Sequence, residues 1–233
     1  MKQLIDFFDG KNVKRVLDVG TGPGHFIHIL LSIFPDAEIT GVDPDEKSLE
    51  EAAITFPGVG FKIRKGEKID FLDNAFDLAS ISMALHHLSD VQKTLKEMQR
   101  VVRPGGWIIV NELYSDGLNP AQEVHKRMHH FRSRIDRING ICHNESFTRK
   151  EILQMIEKSG PDIEFYFENS SVANPPTPEE IQERKEKLGI SLEQIKGHPE
   201  YNELAKEIPL IETELDQHGF AMASRLVVVG RVK

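Results

Sequence analysis

Residues 16–26 read VLDVGTGPGHF, a short apolar run that leads into three alternating glycines. The run at 13–19 predicts a buried strand, and Gly20, Gly22 and Gly24 predict a tight turn before a helix. Glycine tolerates positive φ and lets the backbone approach a ligand closely. A helix N-terminus favours negative charge. The stretch therefore predicts a strand–turn–helix unit that can receive an anionic part of a ligand.

Two acidic side chains accompany this turn. Asp18 lies two residues before Gly20, where it can meet a cation. Asp43 ends the second predicted strand, EITGVD at 38–43, where a carboxylate can accept both hydroxyls of a ribose. The spacing differs from the G-x-G-x-x-G of dinucleotide sites because His25 occupies the sixth position, and Asp18 would disfavour a pyrophosphate. The combination indicates a ligand with a ribose, a carboxylate and an ammonium or sulfonium group.

Predicted strands and amphipathic helices alternate along the chain, which is typical of a parallel sheet built from βαβ units. The last predicted strand follows a long polar insertion and so suits an antiparallel addition at the sheet edge. Ser89 and Gln92 predict a capping box before one helix. The predicted strands are 13–19, 38–43, 60–66, 76–82, 107–113, 163–169 and 219–232, and the predicted helices include 25–34, 45–56, 90–102, 124–138 and 147–160.

Composition limits the class of protein. The 233 residues carry 29 Lys and Arg against 37 Asp and Glu, a net charge of −8, which argues against a generally basic nucleic-acid binder. The single cysteine excludes an internal disulfide and a Cys-rich zinc module. No apolar run approaches the roughly 20 residues that cross a bilayer, and the N-terminus lacks a signal-peptide pattern. These features predict a soluble cytoplasmic protein without a membrane segment, and they leave its oligomeric state open.

Four motifs in order resemble those of the class I S-adenosylmethionine-dependent methyltransferases. They are VLDVGTGPGHF at 16–26, GVDPDEKSL at 41–49, FDLASISMALHHLSD at 76–90 and RVVRPGGWIIVNEL at 100–113. The resemblance covers about residues 13–113 well and the terminal strand loosely. We predict a single methyltransferase domain over residues 1–233. Its fold class would be α/β, a Rossmann-like doubly wound, mostly parallel seven-stranded sheet with an antiparallel late strand and helical lid insertions.

The resemblance implies how the chain would hold S-adenosylmethionine as methyl donor. Gly20, Thr21 and Gly22 would face the methionine carboxylate and the ribose through backbone groups. Asp18 would hold the amino group, directly or through water. Asp43 would bind the ribose diol.

The resemblance also implies contacts to the rest of the donor. Pro44 would lie against the adenine, and Ser82 would border the methionine portion. Many members place an acid after the third strand to hold the adenine amino group, whereas this chain has Lys65 there. Gly66 and Glu67 are then the nearest candidates for that contact.

His86 and His87 follow the fourth predicted strand and are the candidate catalytic residues. Methyl transfer from a sulfonium is an in-line displacement, so alignment and closure can supply most of the acceleration, and a base is optional. Either histidine could deprotonate or orient an acceptor, with His87 the better candidate. The favoured alternative is that one ring forms a local hydrogen bond and the other packs.

Two insertions, about 113–147 and 170–218, are predicted lids because each follows the carboxyl end of a strand, where α/β sheets bind ligands. The first contains a basic stretch, 125–137, with a net charge of +4. It could attract an anionic acceptor such as a carboxylate or phosphate. The favoured alternative is a solvated helix face. The basic side chains are Lys126, Arg127, Arg132, Arg134 and Arg137.

Histidines are concentrated in the same insertion. His125 and His129 are four residues apart and share a helix face. With His130 and His143 they could bind a metal ion. No acid or thiolate pattern nearby completes a site, so the sequence predicts no metal.

The sequence therefore predicts an S-adenosylmethionine-dependent methyltransferase acting on a small-molecule acceptor by in-line transfer. One alternative is an RNA- or protein-directed methyltransferase that docks its target on the basic helix. Another is a non-catalytic S-adenosylmethionine-binding protein, which would hold the donor without turnover.

Overall fold

A computed structural model describes residues 1–170 and 175–233. The chain divides into two compact units. The core unit comprises Met1–Glu112, Lys150–Asn169 and Leu226–Lys233, and the insert unit comprises Leu113–Arg149 with Ser170–Arg225. The insertions predicted at 113–147 and 170–218 fall within the insert unit, with 171–174 outside the described residues. Their role as lids stays a prediction.

The core unit is organised by a seven-stranded sheet in the order β3-β2-β1-β4-β5-β7-β6. The first five strands in this order pair in parallel. This arrangement confirms the predicted α/β fold class and its seven strands. The strands are β1 Arg15–Val19, β2 Glu38–Asp43, β3 Gly60–Ile63, β4 Phe76–Ser82, β5 Val102–Leu113, β6 Asp162–Asn169 and β7 Arg225–Arg231.

Strand β7 runs antiparallel to β5, as the sequence predicts for the late strand. The Gly105 N–H donates to the Val232 carbonyl at 2.8 Å, and the Val232 N–H donates to the Gly106 carbonyl at 3.0 Å. The predicted edge position of this strand was wrong, because β7 lies between β5 and β6. Its consecutive residues 226–230 are all buried, whereas β6 is mostly exposed or half-buried and therefore suits the edge.

In the core unit, apolar side chains from the helices and from the sheet pack together in one hydrophobic cluster. Leu30, Val16, Leu78 and Val227 are among its fully buried side chains. Burial on this scale fixes the strand register, and that register sets Asp18 of β1 beside Ser80 of β4. The sheet thus holds polar side chains at the strand ends in defined positions.

The core-unit helices are α1 Lys2–Phe8, α2 Ile27–Ile33, α3 Glu46–Thr55, α4 Val91–Val101 and most of α6 Arg149–Ser159. The N-terminus of helix α4 is capped by a different residue from the one that the sequence predicts. Asp90 is its N-cap and accepts the Lys93 N–H at 2.9 Å. The capping box predicted from Ser89 and Gln92 was wrong, because the Ser89 hydroxyl instead donates to Glu67 at 2.6 Å.

The insert unit is helical and has its own apolar cluster. The predicted stripe on α5 is confirmed, since Val124, Phe131 and Ile135 are buried in that cluster with Met128 and Ile138 partly buried against it. The insert-unit helices are α5 Pro120–Ile138, α7 Pro178–Glu193, α8 Tyr201–Ala205 and α9 Ile208–His218. Among the described residues no helix is both long enough and apolar enough to cross a membrane.

Candidate active site

Asp18 is a buried carboxylate near the end of β1 and is only 1% exposed. Its Oδ2 accepts the Thr21 hydroxyl at 2.8 Å, and its Oδ1 accepts the Ser80 hydroxyl at 2.7 Å. The Ser80 contact follows from the β1–β4 register. The structure thus brings Asp18 and Thr21 together as predicted site residues and adds Ser80, which the sequence analysis missed.

The environment of Asp18 perturbs its ionisation. Burial raises the pKa of this carboxyl to about 6, although the hydrogen bonds from Ser80 and Thr21 lower it, and the charge of Asp43 raises it further. Desolvation disfavours the charged form of a carboxyl, while hydroxyl donors favour it. A cation placed beside Asp18 would therefore stabilise its ionised form.

Asp43 connects the glycine turn to the end of β2 by a hydrogen bond. Its Oδ2 accepts the Gly22 N–H at 2.9 Å, and its Oδ1 accepts the Asp45 N–H at 2.9 Å. The N–H groups of Gly20 and Thr21 both donate to the carbonyl of Val42, at 2.9 and 3.1 Å. The turn is therefore fixed against the carboxyl end of β2, with Asp43 beside Gly22.

Two glycines of the turn share a positive φ but differ in their surroundings. Gly20 has φ +65°, and a Cβ added there would lie 2.7 Å from Cβ of Ala84. Gly22 has φ +49°, and a Cβ added there would meet no atom within 4 Å. Gly20 is required by packing as well as by backbone conformation, whereas Gly22 adjoins open space that a ligand can enter.

This difference predicts unequal costs for two matched substitutions. Gly20→Ala should lose about 1–3 kcal/mol more stability than Gly22→Ala, because overpacking adds to the left-handed backbone penalty that both share. Thermal unfolding should place Gly20→Ala about 5 °C below Gly22→Ala. Equal midpoints for the two variants would contradict the close packing of Gly20 on Ala84.

Pro44 and Ser82, both predicted to contact the donor, differ in exposure and in hydrogen bonding. Pro44 is exposed directly after β2. Ser82 is half-buried at the end of β4 and accepts a hydrogen bond from the side-chain amide of Asn111 at 2.8 Å. Ser82 of β4 and Asn111 of β5 are register neighbours in the sheet. The roles of Pro44 and Ser82 toward a donor stay predictions.

The adenine candidates after β3 have structural partners of their own. The Glu67 carboxylate accepts the Ser89 hydroxyl at 2.6 Å and the Asp90 N–H at 3.4 Å. Gly66 is buried, and a Cβ there would lie 2.7 Å from the Thr94 methyl group. Both residues therefore pack the β3–β4 connection onto the start of α4. Their contact with adenine stays a prediction.

The paired histidines lie on a single short 3-10 turn, Leu85–His87, and differ in environment. His86 is buried, with Nδ1 2.9 Å from Oε1 of Glu112. The other oxygen of Glu112 accepts the Leu85 N–H at 2.8 Å. His87 is exposed, and its ring lies against that of His86. Glu112 thus fixes the ring of His86, the histidine that the sequence analysis ranked second.

The basic side chains of α5 are compensated within the insert unit. Each of the five predicted to attract an anionic acceptor pairs with a carboxylate. These pairs cancel the local charge on which the prediction depended. They are Lys126–Glu123, Arg127–Glu214 at 2.9 Å, Arg132–Asp136 at 2.8 Å, Arg134–Glu207 and Arg137–Glu145 at 3.8 Å.

Comparison with known proteins agrees with this geometry. Residues 17–110 match a family model described as a methyltransferase domain. An uncharacterised methyltransferase of Schizosaccharomyces pombe is 30% identical over 139 residues, covering 54% of this chain and 50% of that protein. A demethylmenaquinone methyltransferase of Chlorobaculum parvum is 26% identical over 152 residues, covering 64% and 61%.

The fold has close counterparts among solved structures. An S-adenosylmethionine-dependent methyltransferase from Methanosarcina mazei superimposes with a TM-score of 0.62 at 14% identity, covering 98% of this chain and 96% of that one. Residues 17–110 therefore match a methyltransferase domain, and the chain shares the fold of this solved methyltransferase. The chain spans about half to three fifths of the length of these two curated relatives.

Proposed function

We propose that this protein is an S-adenosylmethionine-dependent methyltransferase that acts on a small-molecule acceptor. The observation that carries the proposal is the joint placement of two carboxylates and a glycine turn at the ends of β1 and β2. Asp43 is 2.9 Å from the Gly22 N–H, and Asp18 is 2.8 Å from the Thr21 hydroxyl.

The residues at this site fit the chemistry of S-adenosylmethionine. A carboxylate has about four acceptor positions, so Asp43 retains acceptor capacity for ribose hydroxyls beyond the two backbone bonds it accepts. The buried Asp18 complements an ammonium group. The open space beside Gly22 suits close approach of a ligand to the backbone. The ribose and the ammonium group of the donor thus each have a chemically matched partner at this site.

The chain's own part in the reaction is binding and orientation. S-adenosylmethionine supplies an activated methyl group on its sulfonium. The glycine turn, Asp18 and Asp43 would fix the donor, and orientation of two reactants is itself a large source of acceleration. The hydrogen bond that Glu112 accepts from His86 orients the imidazole ring, the arrangement in which a histidine serves as a general base. We therefore favour His86 over His87 for a proton-accepting role.

A small-molecule acceptor is supported by two observations. Several similar proteins are named demethylmenaquinone methyltransferases. The ion pairs on α5 also remove the uncompensated basic patch that an RNA target or an anionic acceptor would use. Demethylmenaquinone is therefore the first acceptor to test, followed by other hydroxylated aromatic and quinone compounds.

Methyl transfer can be tested by incubating the protein with S-adenosylmethionine and this acceptor panel. We expect mass spectrometry to detect S-adenosylhomocysteine together with a methylated acceptor. Donor binding without product from any acceptor class would favour the non-catalytic alternative. Tight, salt-dependent RNA binding with methylation of RNA would instead favour the RNA-directed alternative.

The raised pKa of Asp18 predicts pH-dependent donor binding. With a pKa of about 6, Asp18 is about nine-tenths protonated at pH 5 and largely ionised at pH 7.5. A nearby ammonium would pull its pKa down in the complex, so affinity should rise with pH. We expect S-adenosylhomocysteine to bind about tenfold more weakly at pH 5 than at pH 7.5 in calorimetric titrations.

The matched control for this prediction is Asp18→Asn. It removes the titrating group and keeps the size of the side chain and one of the two acceptor oxygens that the Ser80 and Thr21 hydroxyls use. The variant should bind weakly at both pH values and lose most of the pH dependence. The same tenfold change in the variant would assign the effect to another group.

A further inference from the structure

Helix α5 and the segment after it bring two histidines together inside the insert unit. Nε2 of His129 lies 3.1 Å from Nε2 of His143. Nδ1 of His143 lies 2.7 Å from Oδ2 of Asp136, and His143 is only 6% exposed. Asp136 is the acid that the sequence analysis did not find for the histidine-rich segment. This cluster plays no part in the donor site.

The spacing of the two nitrogens suits a metal ion. Zinc binds imidazole nitrogen at about 2.0–2.1 Å, so two ligands of a tetrahedral ion lie about 3.3 Å apart. The observed separation of the His129 and His143 nitrogens is 3.1 Å. The observed separation is thus within about 0.2 Å of this ligand spacing.

The orientation of His143 also suits a metal ligand. A ligating histidine almost always donates its other ring N–H to a carboxylate, carbonyl or water. Asp136 supplies this carboxylate at Nδ1. A proton held on Nδ1 leaves a lone pair on Nε2 of the neutral ring, and Nε2 is the atom that faces His129.

The surroundings hold this arrangement in place. Arg132 Nε lies 2.8 Å from Oδ1 of Asp136, and Arg137 donates to the backbone carbonyl of His143 at 2.8 Å. These contacts hold the Asp136 carboxylate and the backbone of His143 in place and so keep the ring of His143 oriented.

We propose that His129 and His143 form a binding site for a divalent transition-metal ion such as Zn²⁺, with Asp136 as the residue that positions His143. Two imidazoles leave other coordination positions to water or to an oxygen of a bound molecule. The ion could then act as a Lewis acid on a molecule that occupies one of these positions. The proposal uses no residue that is assigned to the methyl donor.

The test is titration of the chelator-treated full chain with Zn²⁺, followed by Co²⁺ as a spectroscopic probe. The wild-type protein should bind one equivalent of Zn²⁺, and its Co²⁺ form should show the visible bands of imidazole-coordinated cobalt. His129→Ala and His143→Ala should each weaken binding at least tenfold and lose these bands. Asp136→Asn should weaken binding by about 10–100-fold, as expected for loss of an outer-shell partner.

His130→Ala is the matched control. His130 is the neighbour of His129 on α5 and contacts the Ser146 hydroxyl through Nε2 at 2.9 Å. The His130→Ala variant should bind Zn²⁺ with wild-type affinity. Because His143 is buried, His143→Ala could unfold. His129 is only half-buried, so a folded His129→Ala variant then decides the result.

Two results would overturn the proposal. The first is a wild-type protein without stoichiometric Zn²⁺ binding, which would leave the histidines as a simple hydrogen-bonded pair. The second is wild-type affinity in folded His129→Ala. Since neither measurement involves the methyl donor, failure of this proposal is distinguishable from failure of the proposed function.

Discussion

Replacing Asp43 by alanine is expected to weaken S-adenosylhomocysteine binding by at least about 100-fold. A hydrogen bond to a charged group contributes about 1.5–3 kcal/mol, and loss of two such bonds to the ribose hydroxyls corresponds to about 3 kcal/mol or more, which is at least about 100-fold in affinity. The substitution also releases the Gly22 N–H, which Asp43 accepts at 2.9 Å. Calorimetric titration measures the loss directly.

Asp45→Ala is the control for this experiment. Asp45 lies two residues further on, is exposed and caps helix α3 by accepting the Ser48 N–H. Loss of that cap should cost about 1 kcal/mol of stability and leave donor affinity nearly unchanged. Wild-type affinity in a folded Asp43→Ala variant would show that the donor does not use this carboxylate.

Replacing Glu112 by alanine is expected to give the largest loss of stability among the site variants. Glu112 is 1% exposed and accepts hydrogen bonds at both oxygens, from His86 and from the Leu85 N–H. Each buried donor left without a partner costs about 1–3 kcal/mol. We expect a total of about 2–5 kcal/mol and a fall of about 10 °C in the unfolding midpoint.

Glu112→Gln separates hydrogen bonding from side-chain volume. Glutamine keeps the size of the side chain and one acceptor oxygen, so it should lose less stability than alanine. Thermal unfolding of both variants followed by circular dichroism provides the comparison. An unfolding midpoint within 2–3 °C of wild type for Glu112→Ala, well short of the roughly 10 °C expected, would mean that the Glu112–His86 contact contributes little.

The sequence predicted the core of the fold because its signals are local. The apolar run before Gly20, the glycine turn itself and the acid that ends β2 all lie close together in the chain, and the structure keeps them together. The amphipathic period of α5 likewise predicted which of its side chains are buried. Such patterns depend on backbone geometry and burial within one element.

Contacts between distant parts of the chain were not predictable in the same way. Ser80 bonds to Asp18 from 62 residues away, and only the β1–β4 register identifies it among the serines of β4. Glu112 is one of two polar residues that follow the apolar run of β5, a signal that could have marked it as a buried partner. The position of β7 depends on strand order, which no local pattern encodes.

The charge of α5 illustrates the same limit. Counting residues 125–137 gave a positive segment, but Arg127 and Arg134 pair with Glu214 and Glu207, acids that belong to the second inserted segment of the chain. Charge compensation across a fold depends on tertiary contacts. The local count therefore overstated the positive charge available to a ligand.

A crystal structure of the protein with S-adenosylhomocysteine tests the central claim most directly. We expect the ribose hydroxyls within hydrogen-bonding distance of the Asp43 carboxylate, the methionine portion over the Gly20–Gly22 turn and the amino group on the side of Asp18. A ligand bound away from the ends of β1 and β2 would contradict the assignment of this site. So would a protein that binds no S-adenosylhomocysteine even at millimolar concentration.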